Sequence, residues 1–354
     1  MKNNRIVGLE IFRIVAALSV FMMHTLSKLG TYHGPLQALV SAGTAYMTGF
    51  FILSGFVLAL GYENRDLQDP VNVKVFLKKR LIGLMPLYLV IAIVHLIDSY
   101  GKERFMVELM LIPTEFLGVQ SLFQSLWTLS HNGGSWFVSC MLVCYMVFPY
   151  LFTLIRSSRT GTKVFWLAVV YFFSWYAYVL NERLELYTLY TNPFFRLLEF
   201  TAGILAGSLF AKIRRLGIYK VMRFPAVILG EYILLFHALT IWVNYGYYGG
   251  VPASFTRLVM PIFILIFWSS AELRMPAFLA APIRHLGSIT YGFYLAQFHC
   301  FTYGRMIGRH FGYADESYMT LGISLLVCLL MAEAAHGLIQ RPIAALLLRK
   351  ESHK

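Results

Sequence analysis

An arginine at position 13 and a histidine at position 24 stand at either end of ten mostly apolar residues, in the stretch RIVAALSVFMMH. Histidine changes charge near neutral pH, so it can take up a proton or act as a nucleophile. Arginine stays charged, and its fork of donors fits a phosphate or a developing oxyanion. On an α-helix, eleven steps of about 100° leave a net offset of about 20°, so Arg13 and His24 share one face. At 1.5 Å per residue they are roughly 16 Å apart, too far to bond each other. One face and two depths describe the wall of a passage better than an ion pair. A plainer reading stands beside it: His24 as a histidine near a membrane surface, hydrogen-bonded to a neighbour.

Glu10, Arg196, Glu199, Glu231, His237, His299, Glu333 and His336 also lie inside apolar stretches. Charge in hydrocarbon is expensive and marks functional positions. Glu10 with Arg13, Arg196 with Glu199, and Glu333 with His336 are spaced i, i+3 and are expected to pair, which makes their burial tolerable. Glu231 and His237 have no partner in their own segments, and a bond to another helix is the structural alternative to a functional role.

These residues need long apolar helices to position them, and the composition supplies those. Of 354 residues, 58% are hydrophobic and only 13% charged, which describes a membrane protein rather than a soluble domain. Ten segments are long and apolar enough to span about 30 Å of hydrocarbon: 7–27, 41–61, 81–99, 136–155, 164–181, 194–211, 225–244, 255–271, 286–306 and 319–339. The stretch 105–126, interrupted by Glu108, Pro113 and Glu115, reads as a re-entrant or interfacial segment. Sorted by alternate gaps, 21 of the 30 Lys and Arg residues fall on the side carrying both termini and six on the other. The positive-inside rule then puts both termini in the cytoplasm. The expected fold is an all-α polytopic bundle of about ten transmembrane helices, with 1–354 as one domain. No removable signal peptide is read at the N-terminus.

The net charge of +13 follows this topology; it forms no basic stripe with interleaved aromatics, so nucleic acid is not an expected partner. Cys140, Cys144, Cys300 and Cys328 lie in apolar runs, with neither metal-site nor disulfide-framework spacing. No metal is expected.

The stretch GLEIFRIVAALSVFMMHT resembles the first helix of the acyltransferase-3 family, which carries an acidic residue, an arginine three later and a histidine beyond; Glu10, Arg13 and His24 fit. FFILSGFVLAL is similar to the second-helix motif and places Ser54, Gly55 and Phe56. FLKKRLIGLMPLYLV resembles the basic start of the third and places Arg80, Pro86 and Tyr88. RLLEFTAGILAG supplies Arg196 and Glu199, and LGSITYGFYL supplies Tyr291 and Tyr294, with Trp136 matching a family tryptophan. The motifs run in order from residue 8 to about 342. Three positions depart: Met141 and Leu142 replace paired glutamates, Gln297 replaces a histidine, and Gln340 replaces an acidic residue before Arg341 and Pro342.

The resemblance implies a multi-pass enzyme of the bacterial inner membrane that moves an acyl group, acetyl by family frequency, from cytoplasmic acyl-CoA to a hydroxyl of a cell-surface or lipid-linked glycan. His24 and Arg13 are the implied catalytic residues, with His24 as base or as acyl carrier. Glu10, Ser54, Arg80, Tyr88, Trp136, Arg196, Glu199, Tyr291 and Tyr294 are the implied donor- or substrate-binding residues. Acetyl-CoA serves as donor substrate, no cofactor is expected to be tightly bound, and membrane lipid and glycan-assembly proteins are the implied neighbours. Lys74, Lys78, Lys79 and Arg80 can hold the CoA phosphates, or the lysines can serve only as a topology anchor. Trp136, Tyr291 and Tyr294 can equally belong to an interfacial aromatic belt. The main rival is a proton-coupled secondary transporter, which buried Glu, Arg and His would also suit, although no inverted repeat is visible. A lipid-linked glycosyltransferase is a poorer match, because 27–40 carries no Asp or Glu.

Overall fold

The structure is a computed structural model that describes residues 6–103, 105–123, 126, 133–184, 189–244 and 255–349. All regular structure among the described residues is helical. In chain order the helices are α1 (Val7–Lys28), α2 (Ala45–Tyr62), α3 (Pro70–Ser99), α4 (Phe105–Leu117), α5 (Trp136–Ser157), α6 (Thr160–Leu184), α7 (Pro193–Ile213), α8 (Pro225–Asn244), α9 (Phe255–Ser270), α10 (Ala277–His310), α11 (Tyr318–Ala335) and α12 (Arg341–Arg349). Short 3₁₀ and helical turns fill 34–44, and a π turn spans His336–Gln340.

Each of the ten segments expected from the sequence falls on one of these helices. By length and apolarity, six stretches among the described residues qualify to cross a membrane: Val7–Lys28, Gly34–Tyr62, Pro70–Ser99, Trp136–Ser157, Pro193–Ile213 and Tyr318–Leu347. Pro225–Ile241 and Val259–Ser270 are apolar but shorter. α10 is long enough, but Arg284, His285, Gln297, His299, Arg305 and Arg309 dilute its apolarity.

Local chemistry fixes where the helices begin. Asp69 accepts from the Val71 amide at 2.9 Å, with Pro70 in the first helical position. Asn192 does the same for Phe194 and Phe195 ahead of Pro193. Ser317 caps α11 through the Thr320 amide.

α2 and α7 form the tightest seam. A Cβ on Gly203 would run into the Ile52 carbonyl, and one on Gly55 into the Phe200 carbonyl. Glycine at 203 and 207, one turn apart, lets the two backbones meet as small residues do between membrane helices. A large aromatic cluster joins this seam to α1, α3, α5 and α9 through Phe12, Phe51, Phe56, Phe76, Phe148, Phe200 and Phe263. A second buried cluster locks α1 to α10 and α11 around Phe21, Phe293, Phe301 and Cys328. Large apolar side chains stay exposed on the outer faces of α6, α8 and α11, among them Phe172, Ile233 and Leu330, which suits lipid contact. All four cysteines are buried and free.

Candidate active site

α1 is unbroken from Val7 to Lys28, so the spacing between Arg13 and His24 is kept. Glu10 is 1% exposed and pairs with the Arg13 guanidinium, as the i, i+3 spacing predicts. Their neighbour across the bundle is Gly287 of α10, where any Cβ would strike the Glu10 carboxylate. Glycine there is what admits the acid. Tyr145 on α5 lies within electrostatic reach of both Arg80 and Arg13. Arg80 lies over the Tyr62 and Phe76 rings at 5.8 and 5.6 Å, and its Nε is buried without a hydrogen-bond partner. Tyr291 donates to the Leu84 carbonyl at 2.9 Å, fixing α10 against the same part of α3. Ser54 turns back onto the Phe50 carbonyl of its own helix.

His24 lies near the other end of α1 and is half-buried. Its ring packs on Phe298 of α10 with centroids 5.0 Å apart, and Lys28 one turn later reaches over the same ring at 4.9 Å. The His24 ring makes no hydrogen bond to any described residue, unlike the neighbour-bonded histidine of the plainer expectation. Gln297, the residue before Phe298 on α10, is wholly buried, and neither end of its carboxamide has a hydrogen-bond partner.

Other expected site residues form two sealed knots. Arg196 Nη1 donates to both Glu199 oxygens at 2.9 and 2.7 Å, Thr48 donates to the same carboxylate at 2.8 Å, and Arg196 Nε donates to the Tyr190 carbonyl at 2.7 Å. The guanidinium sits among the Phe51, Trp136, Tyr190 and Phe195 rings. Buried this way, the ion pair braces α7 against α2 and the 189–191 turn. In the second knot, Tyr88 donates to Glu115 on α4, Gln120 donates to the Tyr88 hydroxyl and to the Ser135 carbonyl, and Tyr294 donates to the Gly134 carbonyl at 3.1 Å. These bonds clasp the 105–123 segment and the start of α5 onto α3 and α10. Glu115 and Glu108 are buried, which explains how acids sit in a stretch expected to be re-entrant; 124–125 and 127–132 lie outside the described residues.

One expected pair does not form. Glu333 bonds His285 of α10 at 2.6 Å, while His336 meets Gln340 and Ser288. The π turn that starts at His336 changes the direction of its side chain relative to α11. Glu231 accepts from Ser269 on α9, the helix-to-helix bond anticipated for it. His299, singled out only as an intramembrane histidine, proves to be held by Asp98 of α3. Tyr145, Thr48 and Asp98 were not anticipated: each becomes informative only once a second helix brings it a partner.

A model of the acyltransferase domain family Acyl_transf_3 matches residues 6–333, nearly the whole of the helical bundle that holds both arginines and His24. The chain belongs to that family and is an acyltransferase of the membrane type. Among curated proteins it is similar to acyltransferase MdmB of Streptomyces mycarofaciens, 27% identical over 369 residues, covering 95% of this chain and 89% of that protein. No solved structure matches it.

Proposed function

We propose that the protein transfers an acyl group, acetyl by preference, from cytoplasmic acyl-CoA to a hydroxyl of a cell-surface or lipid-linked glycan across the bacterial inner membrane. The carrying observation is α1: one continuous helix with the Glu10–Arg13 pair towards one end and, towards the other, a half-buried histidine that no described residue hydrogen-bonds. An unengaged imidazole is available to chemistry in a way that a neighbour-bonded one is not.

In this reading all ten long helices span the membrane, both termini are cytoplasmic, and 1–354 acts as one domain. Arg13 and Arg80 receive the donor from inside, their charges meeting the CoA phosphates or the thioester oxyanion. Glu10 orients Arg13. Ser54 and Tyr291 border this approach. Arg196, Glu199, Tyr88, Trp136 and Tyr294 hold the surrounding walls in place, with Trp136 and Tyr294 closest to a ligand role. His24 either deprotonates the acceptor hydroxyl or carries the acyl group on its ring before passing it on. Membership of an acyltransferase family favours this over proton-coupled transport.

The test uses purified protein and labelled acetyl-CoA. His24→Ala is expected to lower acyl transfer about 10²–10⁴-fold, the worth of a positioned acid–base group, with the elution profile of the folded protein unchanged. Full transfer by His24→Ala would sink the mechanism. Rapid quenching that traps a labelled, hydroxylamine-sensitive adduct on His24 selects the acyl-carrier route; acylated acceptor formed with no adduct, and no CoA released without acceptor, selects the base. In cells, the surface glycans of a strain lacking the gene are expected to lose one acyl mass.

A further inference from the structure

Three arginines from three elements gather about one tyrosine. Tyr62, the buried last residue of α2, has the Arg65 guanidinium 5.2 Å from its ring centre and the Arg80 guanidinium 5.8 Å from it, with Arg80 Nη2 3.5 Å from the Tyr62 hydroxyl. Arg65 belongs to the loop after α2 and Arg80 to α3. From α5, Arg156 Nη1 donates to the Arg65 carbonyl at 2.8 Å. Arg65 and Arg156 have no part in the reading above. Among the described residues, no carboxylate bonds any of these three guanidiniums.

The acids of the same loop are turned elsewhere. Asp66 accepts from the Gln68 amide and Asp69 from the Val71 amide, each at 2.9 Å. Glu63 lies within electrostatic reach of Lys163 on α6. Like charges held together repel, and Arg80 adds a buried Nε–H with no acceptor. An arriving phosphate oxygen would relieve both costs, and the planar fork of arginine matches phosphate geometry.

Phosphate is carried both by nucleotides and by lipid headgroups, and the layout favours a nucleotide. The three forks are supplied at different depths: Arg80 is half-buried, whereas Arg65 and Arg156 are exposed. Tyr145 has both Arg80 and Arg13 within electrostatic reach, so one side chain links the deeper arginine to the Glu10–Arg13 pair. Acyl-CoA has the same order along its length, with the thioester on a flexible arm, then the diphosphate, then the 3′-phosphomonoester on the ribose.

We infer that these arginines are the nucleotide cradle of the donor, with Arg80 on the diphosphate and Arg65 and Arg156 closing on the 3′-phosphomonoester; the inference rests on the acyl-transfer reading. In the proposed orientation all three lie on the cytoplasmic side, where the donor is made. Phosphates held there leave the arm free to carry the thioester into the bundle.

The experiment uses the full chain in phosphatidylcholine nanodiscs and compares equilibrium binding of labelled acetyl-CoA with that of its 3′-dephospho form. The unsubstituted protein is expected to bind acetyl-CoA about tenfold or more tightly than the dephospho form, as charge-assisted hydrogen bonds to one extra phosphate provide. Arg65→Gln and Arg156→Gln are each expected to weaken acetyl-CoA about tenfold and to leave the dephospho form within about twofold, a selective loss that a folding defect would not produce. Equal affinity of the unsubstituted protein for the two donors, a comparison that needs no variant to fold, overturns the assignment. So does an unchanged ratio in both variants. If that ratio is unchanged while Arg65→Gln loses phosphatidylglycerol that the unsubstituted protein retains, the cluster is a lipid site and the nucleotide cradle is refuted. The expected binding pattern in a protein whose loss alters no surface-glycan mass would sink the acyl-transfer reading and leave the nucleotide site standing.

Discussion

Arg196 and Glu199 are the clearest case of intramembrane charge spent on architecture. Both are almost completely buried, and their bonds to each other, to Thr48 and to the Tyr190 carbonyl tie two helices and a turn together. Removing one partner of such a pair strands the other charge. Arg196→Met is therefore expected to destabilise the protein by about 3–5 kcal/mol, while the double change Arg196→Met with Glu199→Leu regains most of that loss; unfolding midpoints of the three proteins in detergent provide the check. The sequence made both residues visible as expensive oddities with helix-pairing spacing, and that pairing holds. Which pairs are sealed and which face a passage depends on helices far away in the chain, so spacing alone cannot sort them. The same limit explains Glu333, whose true partner, His285, lies 48 residues away. It also explains His299, whose Asp98 sits on a helix 201 residues earlier.

Helices are where the sequence speaks most directly. Apolar length, the Asp69–Pro70 and Asn192–Pro193 starts, and the basic gaps place all ten long elements, because a helix in a bundle satisfies its backbone within itself. How closely two helices approach is also legible after the fact, in GILAG at 203–207, but not which helix fills the groove. That partner is α2. Gly203→Leu is expected to push α2 and α7 apart and to destabilise by about 1–3 kcal/mol at least, since overpacking a close seam forces backbone shifts. Gly61→Ala, on the same α2 with nothing within 4 Å of the added methyl, is expected to be neutral. Fluorescence-detected size exclusion after a heat step distinguishes the two. If Gly203→Leu keeps the midpoint of the unsubstituted protein, the seam is softer than its geometry implies.

Across the whole molecule, the sites divide by end. Arg13 lies near the start of α1, within electrostatic reach of Tyr145 as Arg80 is, while His24 lies near the end of the same helix against Phe298. The proposed transfer, from a cytoplasmic donor to an acceptor reached from outside, needs such a division, and the sidedness of the chain decides whether it serves them. With both termini inside, a cysteine placed at exposed Tyr32 is expected to react with an impermeant maleimide in intact spheroplasts. One placed at exposed Lys74 is expected to react only after permeabilisation. The opposite pattern would turn the proposed donor and acceptor ends around.

That experiment needs no engineered background. Because Cys140, Cys144, Cys300 and Cys328 are all buried, and a thiol shut away from water is a poor nucleophile towards a water-borne reagent, the native chain is chemically silent to maleimides. Every introduced cysteine then reports by itself, and the protein as it stands is its own blank.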